Sequence, residues 1–121
     1  MPRRRKTPEG YVSGALRDLF AVERIYAIRV NSGVIVLRNE DGSKRAVRLA
    51  AAGTADWLAL VPIGDGSFLP VWCETKAGKN GLSPDQEEFR DDVTAKGHVY
   101  LIVRDVNDVL DWLRAFRASI K

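Results

Sequence analysis

At 121 residues, 45% of them hydrophobic, the chain has the size of one domain and enough apolar side chains for one core. The single Cys73 excludes an internal disulfide, the single His98 leaves no Cys/His cluster of zinc-binding spacing, and no apolar run is long enough to span a bilayer. The net charge of +3 is carried by Arg3, Arg4, Arg5 and Lys6, without which the chain is slightly acidic.

The start MPRRRK is followed by Thr7, Pro8 and Glu9, not by the apolar core of a signal peptide, so a soluble protein in a reducing, cytoplasmic setting is expected. The reading divides the chain into a basic tail over residues 1–7 and one domain over residues 8–121. Thr7 reads as an N-cap with Pro8 at the first helical position, and Val12, Leu16, Leu19 and Phe20 form an apolar stripe, which predicts a helix from about Pro8 to Glu23. Ile25 to Val30 alternates like a strand. Asn31-Ser32-Gly33 is a turn signal, and Val34 to Arg38 is expected to return as its hairpin partner.

Asp41-Gly42 marks another turn before a strand at Lys44 to Leu49. Trp57 to Val61 and Phe68 to Lys76 read as two strands joined tightly over Pro62 to Ser67. Ser83-Pro84 starts a helix to about Lys96, and Gly97 stops it. His98 to Val103 is rich in β-forming residues, and Asn107 or Asp108 is expected to begin a last helix through about Ser119. The element order predicts an α/β domain: a central mixed β-sheet flanked by α-helices.

The chemistry is sought where a polar residue stands at a position that asks for an apolar one. Along Val71 to Lys76, period-two alternation puts Glu74 and Lys76 on one face beside Trp72, with Val71, Cys73 and Thr75 on the other. Asp56 opens the preceding strand, so a tight hairpin brings it back beside Glu74. Paired carboxylates repel, and a divalent cation is the usual reason to keep both ionised. Oxygen ligands suit Mg²⁺ or Mn²⁺, which polarise a phosphate oxygen and acidify a water, while Lys76 supplies a positive charge beside them. An E-x-K pair alone is more often a solvated strand pair, and Asp56 alone a turn cap. It is their convergence that points to phosphodiester hydrolysis.

Gln86 lies on the inward stripe of Phe89 and Val93, yet Ser83-Pro84-Asp85-Gln86 is also a capping box. Glu9 likewise faces inward with Val12 and Leu16 while sitting at a helix N-terminus that favours an acid. Both readings stay open for each residue. Arg29, Arg38, Lys44, Arg45 and Arg48 make the first half of the domain basic, whereas five acids and one Arg fall between Asp85 and Asp92, and the basic half suits a polyanion. Trp57, Trp72 and Trp112 sit in apolar patterns and read as core, and Cys73 as a small buried residue.

Gly53-Thr54-Ala55-Asp56, Glu74-Thr75-Lys76 and Leu82-Ser83-Pro84-Asp85-Gln86 resemble, in order and spacing, the motif series of the virus-type replication-repair nuclease domain, VRR-NUC, of the PD-(D/E)XK nuclease superfamily. Glu9 and the stretch Arg29-Val30-Asn31-Ser32-Gly33 resemble that family's early motifs, so the likeness covers nearly the whole chain. Ala55 stands where the superfamily name has proline. The resemblance implies a single-domain restriction-endonuclease-like fold. It implies Mg²⁺ or Mn²⁺ held by Asp56, Glu74 and the Thr75 carbonyl, with Glu9 joining directly or through a water. It also implies Lys76 as the catalytic lysine and Gln86 as an orienting residue. Asn31 and Ser32 join the basic residues Arg29, Arg38, Lys44, Arg45 and Arg48 as candidate DNA contacts.

The chain is similar to the stand-alone, phage-like form, which implies a homodimer that cuts branched DNA such as a Holliday junction. Two other readings stand beside it: a non-catalytic DNA-binding or assembly module on the same fold, and a sequence-specific restriction-type nuclease. The latter needs a groove-reading insertion that the chain does not obviously contain.

Overall fold

The computed structural model describes residues 7–30, 34–48 and 50–120, without the side chains of residues 34, 35 and 48. Helix α1, Pro8–Val22, begins as its sequence dictates, with the Gly10 amide donating to the Thr7 hydroxyl at 3.0 Å and Pro8 in the first turn. Strand β1, Tyr26–Arg29, follows, then β2, Val34–Arg38, and β3, Lys44–Arg48.

The pairing of β1 differs from expectation. Val34–Arg38 does not fold back on β1. It pairs antiparallel with β3, while β1 pairs antiparallel with β4, Trp57–Pro62. Of two successive turn signals, only Asp41-Gly42 closes this hairpin: Asn39 N donates to the Ser43 carbonyl at 2.8 Å, and Asp41 Oδ1 takes the Ser43 amide at 2.9 Å. Strand β1 finds instead the apolar β4, which buries one face through Trp57, Ala59 and Val61. Asn31-Ser32-Gly33 and the N-terminal basic cluster lie outside the described residues.

Strand β5, Phe68–Thr75, pairs antiparallel with β4, and β6, Val99–Val103, lies parallel to β5 after the crossover helix α2, Pro84–Ala95. The main sheet therefore runs β1-β4-β5-β6 and is mixed, with β2-β3 as a separate two-stranded ribbon. The last helix, α3, Val106–Ser119, starts slightly earlier than the Asn107 or Asp108 reading. Its N-cap is Asp105, whose side chain takes the Asn107 amide at 2.8 Å while Asp108 Oδ2 reaches back to the Asp105 amide at 3.1 Å.

Helices α1 and α3 cover one face of the sheet, where Leu16, Phe20, Val109 and Leu113 meet Ala59, Val61, Val71, Cys73 and Val103. Helix α2 covers the other face, and Phe89 sets its ring edge-on to Trp72 at 5.0 Å and beside Tyr100 at 6.2 Å. The chain is thus an α/β domain with a central mixed sheet between helices. Among the described residues, no helix is long and apolar enough to cross a membrane.

Candidate active site

The site lies where the β4-β5 ladder ends. Trp57 is paired with Cys73, so the register one step further sets Asp56 opposite Glu74, on the face away from α1 and α3. Asp56 is fixed from its neighbour. The Thr75 amide and hydroxyl both donate to Asp56 Oδ2, at 2.8 and 2.6 Å. Lys76 N donates to the Val103 carbonyl at 3.0 Å, and the peptide before it is trans. A trans peptide points its carbonyl opposite to its N–H, so the Thr75 oxygen is directed away from β6, toward the Asp56 side.

Glu74 is 4% exposed. Its Oε1 accepts from Gln86 Nε2 at 2.9 Å, whereas its Oε2 is buried with no hydrogen-bond partner among the described residues. An orphaned carboxylate oxygen is costly unless a proton or a cation accompanies it. Burial, and then the Asp56 charge, push the Glu74 carboxyl up from 4.5 to about 7; Lys76 pulls it down and Glu9 pushes it up further. The other three charges that the sequence singled out, Asp56, Lys76 and Glu9, therefore act on this one carboxyl. Lys76 is half-buried and makes no direct ion pair with either acid among the described residues.

Gln86 fills both roles that the sequence left open. Its carbonyl Oε1 accepts from the Ser83 amide at 2.9 Å, completing the capping box, and its Nε2 binds Glu74. The two partners fix the orientation of the amide, because a main-chain N–H requires the oxygen and a carboxylate requires the nitrogen. The approach of α2 to the site depends on Gly53, which has φ +82° and packs directly on the Asp85 carbonyl and the Gln86 amide.

Among the described residues, no three His, Cys, Asp or Glu side chains converge tightly enough to hold an ion by themselves. Glu9 is near enough to act on Glu74 but does not complete a three-carboxylate cradle. The donor set that fits a hard divalent cation is two carboxylates, one of them with an unused oxygen, plus the Thr75 carbonyl.

The basic residues divide. Arg38, Lys44 and Arg45 are exposed on the β2-β3 ribbon, with Arg38 directly across from Lys44. Like charges facing each other across a ladder cost stability unless an anion joins them. Arg29 is braced, donating to Ser13 Oγ at 2.6 Å with its guanidinium 5.9 Å from the centre of the Trp57 ring. Asn31, Ser32 and the side chain of Arg48 lie outside the described residues. A cleft of about 740 Å³ runs along α2 and is lined by Asp85, Glu87, Glu88, Asp91 and Asp92, a charge that repels a polyanion.

Three contributors escape the sequence pattern. The Thr75 hydroxyl follows a strand alternation that assigns it to the opposite face. Tyr100 brings a buried hydroxyl, without a partner among the described residues, to the face of Trp72 and Glu74. Ser13 is legible in retrospect, as a polar residue on the buried stripe of Leu16 and Phe20. His98 has a structural part, its Nδ1 accepting from Trp72 Nε1 at 3.0 Å. Cys73 is fully buried, and desolvation pushes its thiol up to about 12. Comparison with protein-family models finds no match for this chain, and comparison with curated proteins finds none either.

Proposed function

We propose that the chain is a Mg²⁺- or Mn²⁺-dependent deoxyribonuclease of the PD-(D/E)XK type, similar to the VRR-NUC domain. The observation that carries this is the carboxylate pair at the end of β4 and β5. Asp56 is locked by two donors, and Glu74 is buried with one oxygen unused beside a lysine. A fold that needed only stability has no reason to hold Asp56, Glu74 and Glu9 within electrostatic reach of one another. The mixed sheet between helices agrees with the fold that the resemblance implies.

In this reading Asp56, Glu74 and the Thr75 carbonyl hold the ion. When bound, the ion supplies Lewis-acid polarisation of the phosphate and a lowered pKa for an attacking water. Lys76 places its ammonium where negative charge grows on the phosphate oxygens, or orients the water through a hydrogen bond. Gln86 holds the Glu74 carboxylate in one rotamer. Glu9 adds negative charge that favours an arriving cation. The opposed Arg38 and Lys44 suit phosphates of a bound strand, and the finer expectation is a homodimer acting on four-way or otherwise branched DNA.

The test is incubation of the full chain with linear, nicked, flapped and four-way DNA, with Mg²⁺, with Mn²⁺ and with EDTA. Metal-dependent products that vanish in Asp56→Ala and Lys76→Ala, both still folded, are the expected outcome. Absence of product on every substrate with either metal would overturn the proposal. It would favour a non-catalytic DNA-binding module, a reading that the lack of a third converging carboxylate among the described residues keeps in play.

A further inference from the structure

At the end of the sheet that carries the carboxylate pair, an open cleft of about 440 Å³ lies between α1 and the ends of β1 and β4. Gly10, Ser13 and Gly14 form its helical wall, Arg17 and Arg29 bring two positive charges, and Trp57 stands behind them. Small side chains let a ligand come close to the helix near its N-terminal end, where the dipole favours an anion. That alone would not make a site. The second observation is the way Arg29 is held.

Ser13 is 5% exposed and accepts twice, from Arg29 Nη1 at 2.6 Å and from Trp57 Nε1 at 2.8 Å. The guanidinium rests over the Trp57 ring. Its position is thereby set from two sides before any ligand arrives, and only part of its donor capacity is used. Among the described residues, neither Arg29 nor Arg17 has an acidic partner. A pre-oriented guanidinium without a counter-ion, joined by a second arginine, fits the oxygens of a phosphate.

The location gives this anion a context. Trp57 follows Asp56 in the chain and Glu9 adjoins Gly10, so the cleft and the carboxylate pair share this end of the sheet, on its two faces. We infer that the cleft is a phosphate subsite that takes an internal phosphodiester of the DNA strand, next to the one at Asp56 and Glu74, with Arg29 as principal contact and Arg17 as second. Ser13 and Trp57 act as positioning residues. The inference rests on the DNA reading but not on catalysis.

The experiment measures binding without turnover. The full chain in EDTA is titrated with a short blunt duplex over a series of salt concentrations, as wild type, Arg17→Gln, Arg29→Gln and the double variant. Each substitution should weaken binding at low salt and lower the slope of log K against log salt by about 0.9, the value for one phosphate contact on duplex DNA. In parallel, the Trp57 indole N–H resonance is followed as thymidylyl-thymidine, whose only phosphate is an internal diester, or inorganic phosphate is added. The diester should move the Trp57 signal and leave that of Trp112 in place.

Unchanged slope and affinity in both single variants would overturn the inference, as would a Trp57 signal that answers to inorganic phosphate but not to the diester. If Arg29→Gln fails to fold, Arg17→Gln and the wild-type resonance decide the question. Cleavage by wild type with no effect of either arginine sinks the subsite and leaves the nuclease reading. Arginine-dependent binding with no cleavage on any substrate does the reverse.

Discussion

Gln86 uses both ends of one amide, and so binds the start of α2 to the chemistry of Glu74. Gln86→Ala removes a cap bond worth about 1 kcal/mol. It also leaves both Glu74 oxygens without a side-chain partner. The expected result is a modest fall in stability on chemical denaturation with a much larger fall in cleavage rate, and equal losses in the two would show that Gln86 is a cap only. Thr75→Val separates shape from hydrogen bonding at the next position. It keeps the volume of a residue that is buried, but deletes the 2.6 Å bond to Asp56. A cost of about 1 kcal/mol is expected from equilibrium denaturation. Residual activity well below wild type is expected too, because Asp56 keeps only the Thr75 amide as a fixed donor. The convergence of Asp56, Glu74 and Gln86 was legible in the sequence because strand register and helix periodicity are short-range rules. The Thr75 hydroxyl was not, because at the last residue of a strand alternation no longer dictates where a side chain turns.

At the scale of elements, the segment leading into β4 sets the distance between α2 and the sheet. A methyl group at Gly53 would overlap the main chain of Asp85 and force a side chain into a left-handed conformation at φ +82°. The strain and the overlap together predict destabilisation on the order of 3 kcal/mol for Gly53→Ala. Thermal unfolding measures it, and a melting point equal to wild type would mean that α2 can shift without cost. The same element explains what was readable in advance. The caps at Thr7 and Ser83 and the stop at Gly97 are local, so α1 and α2 were placed within a residue or so. The partner of β1 was not local. Two adjacent turn signals both looked like hairpins, and the choice between them was made by the apolar β4, which is distant in sequence. For α3, the Asp105 to Asp108 box overrode the Asn107 and Asp108 signals that suggested a later start.

At the scale of the whole molecule, the burial of Glu74 should appear as a dependence of stability on pH. The unfolded chain releases the Glu74 proton near 4.5, and the folded protein near 7. Below 4.5 both states hold the proton and the group contributes nothing adverse; as pH rises through 7 the unfolded state is favoured, by about 3 kcal/mol in total. Asp41 and Asp65, lowered by hydrogen bonds from their serine neighbours Ser43 and Ser67, act in the opposite sense and only at more acidic pH, below their usual 3.8. In the window between 4.5 and 7 Glu74 therefore contributes a loss. In EDTA, wild type should lose more stability across this window than Glu74→Gln, whose side chain is neutral throughout. Parallel curves for the two proteins would mean that the carboxylate is better solvated than its burial indicates. A cation that binds only the ionised, folded form changes the sign, because proton release then accompanies ion binding and each step of pH strengthens it. With Mg²⁺ or Mn²⁺ present, wild type should gain stability from pH 5 to pH 8 relative to EDTA, and Glu74→Gln should gain little. That difference measures ion binding at the carboxylate pair without any cleavage, so it separates a site that cannot hold the ion from one that holds it but meets the wrong DNA.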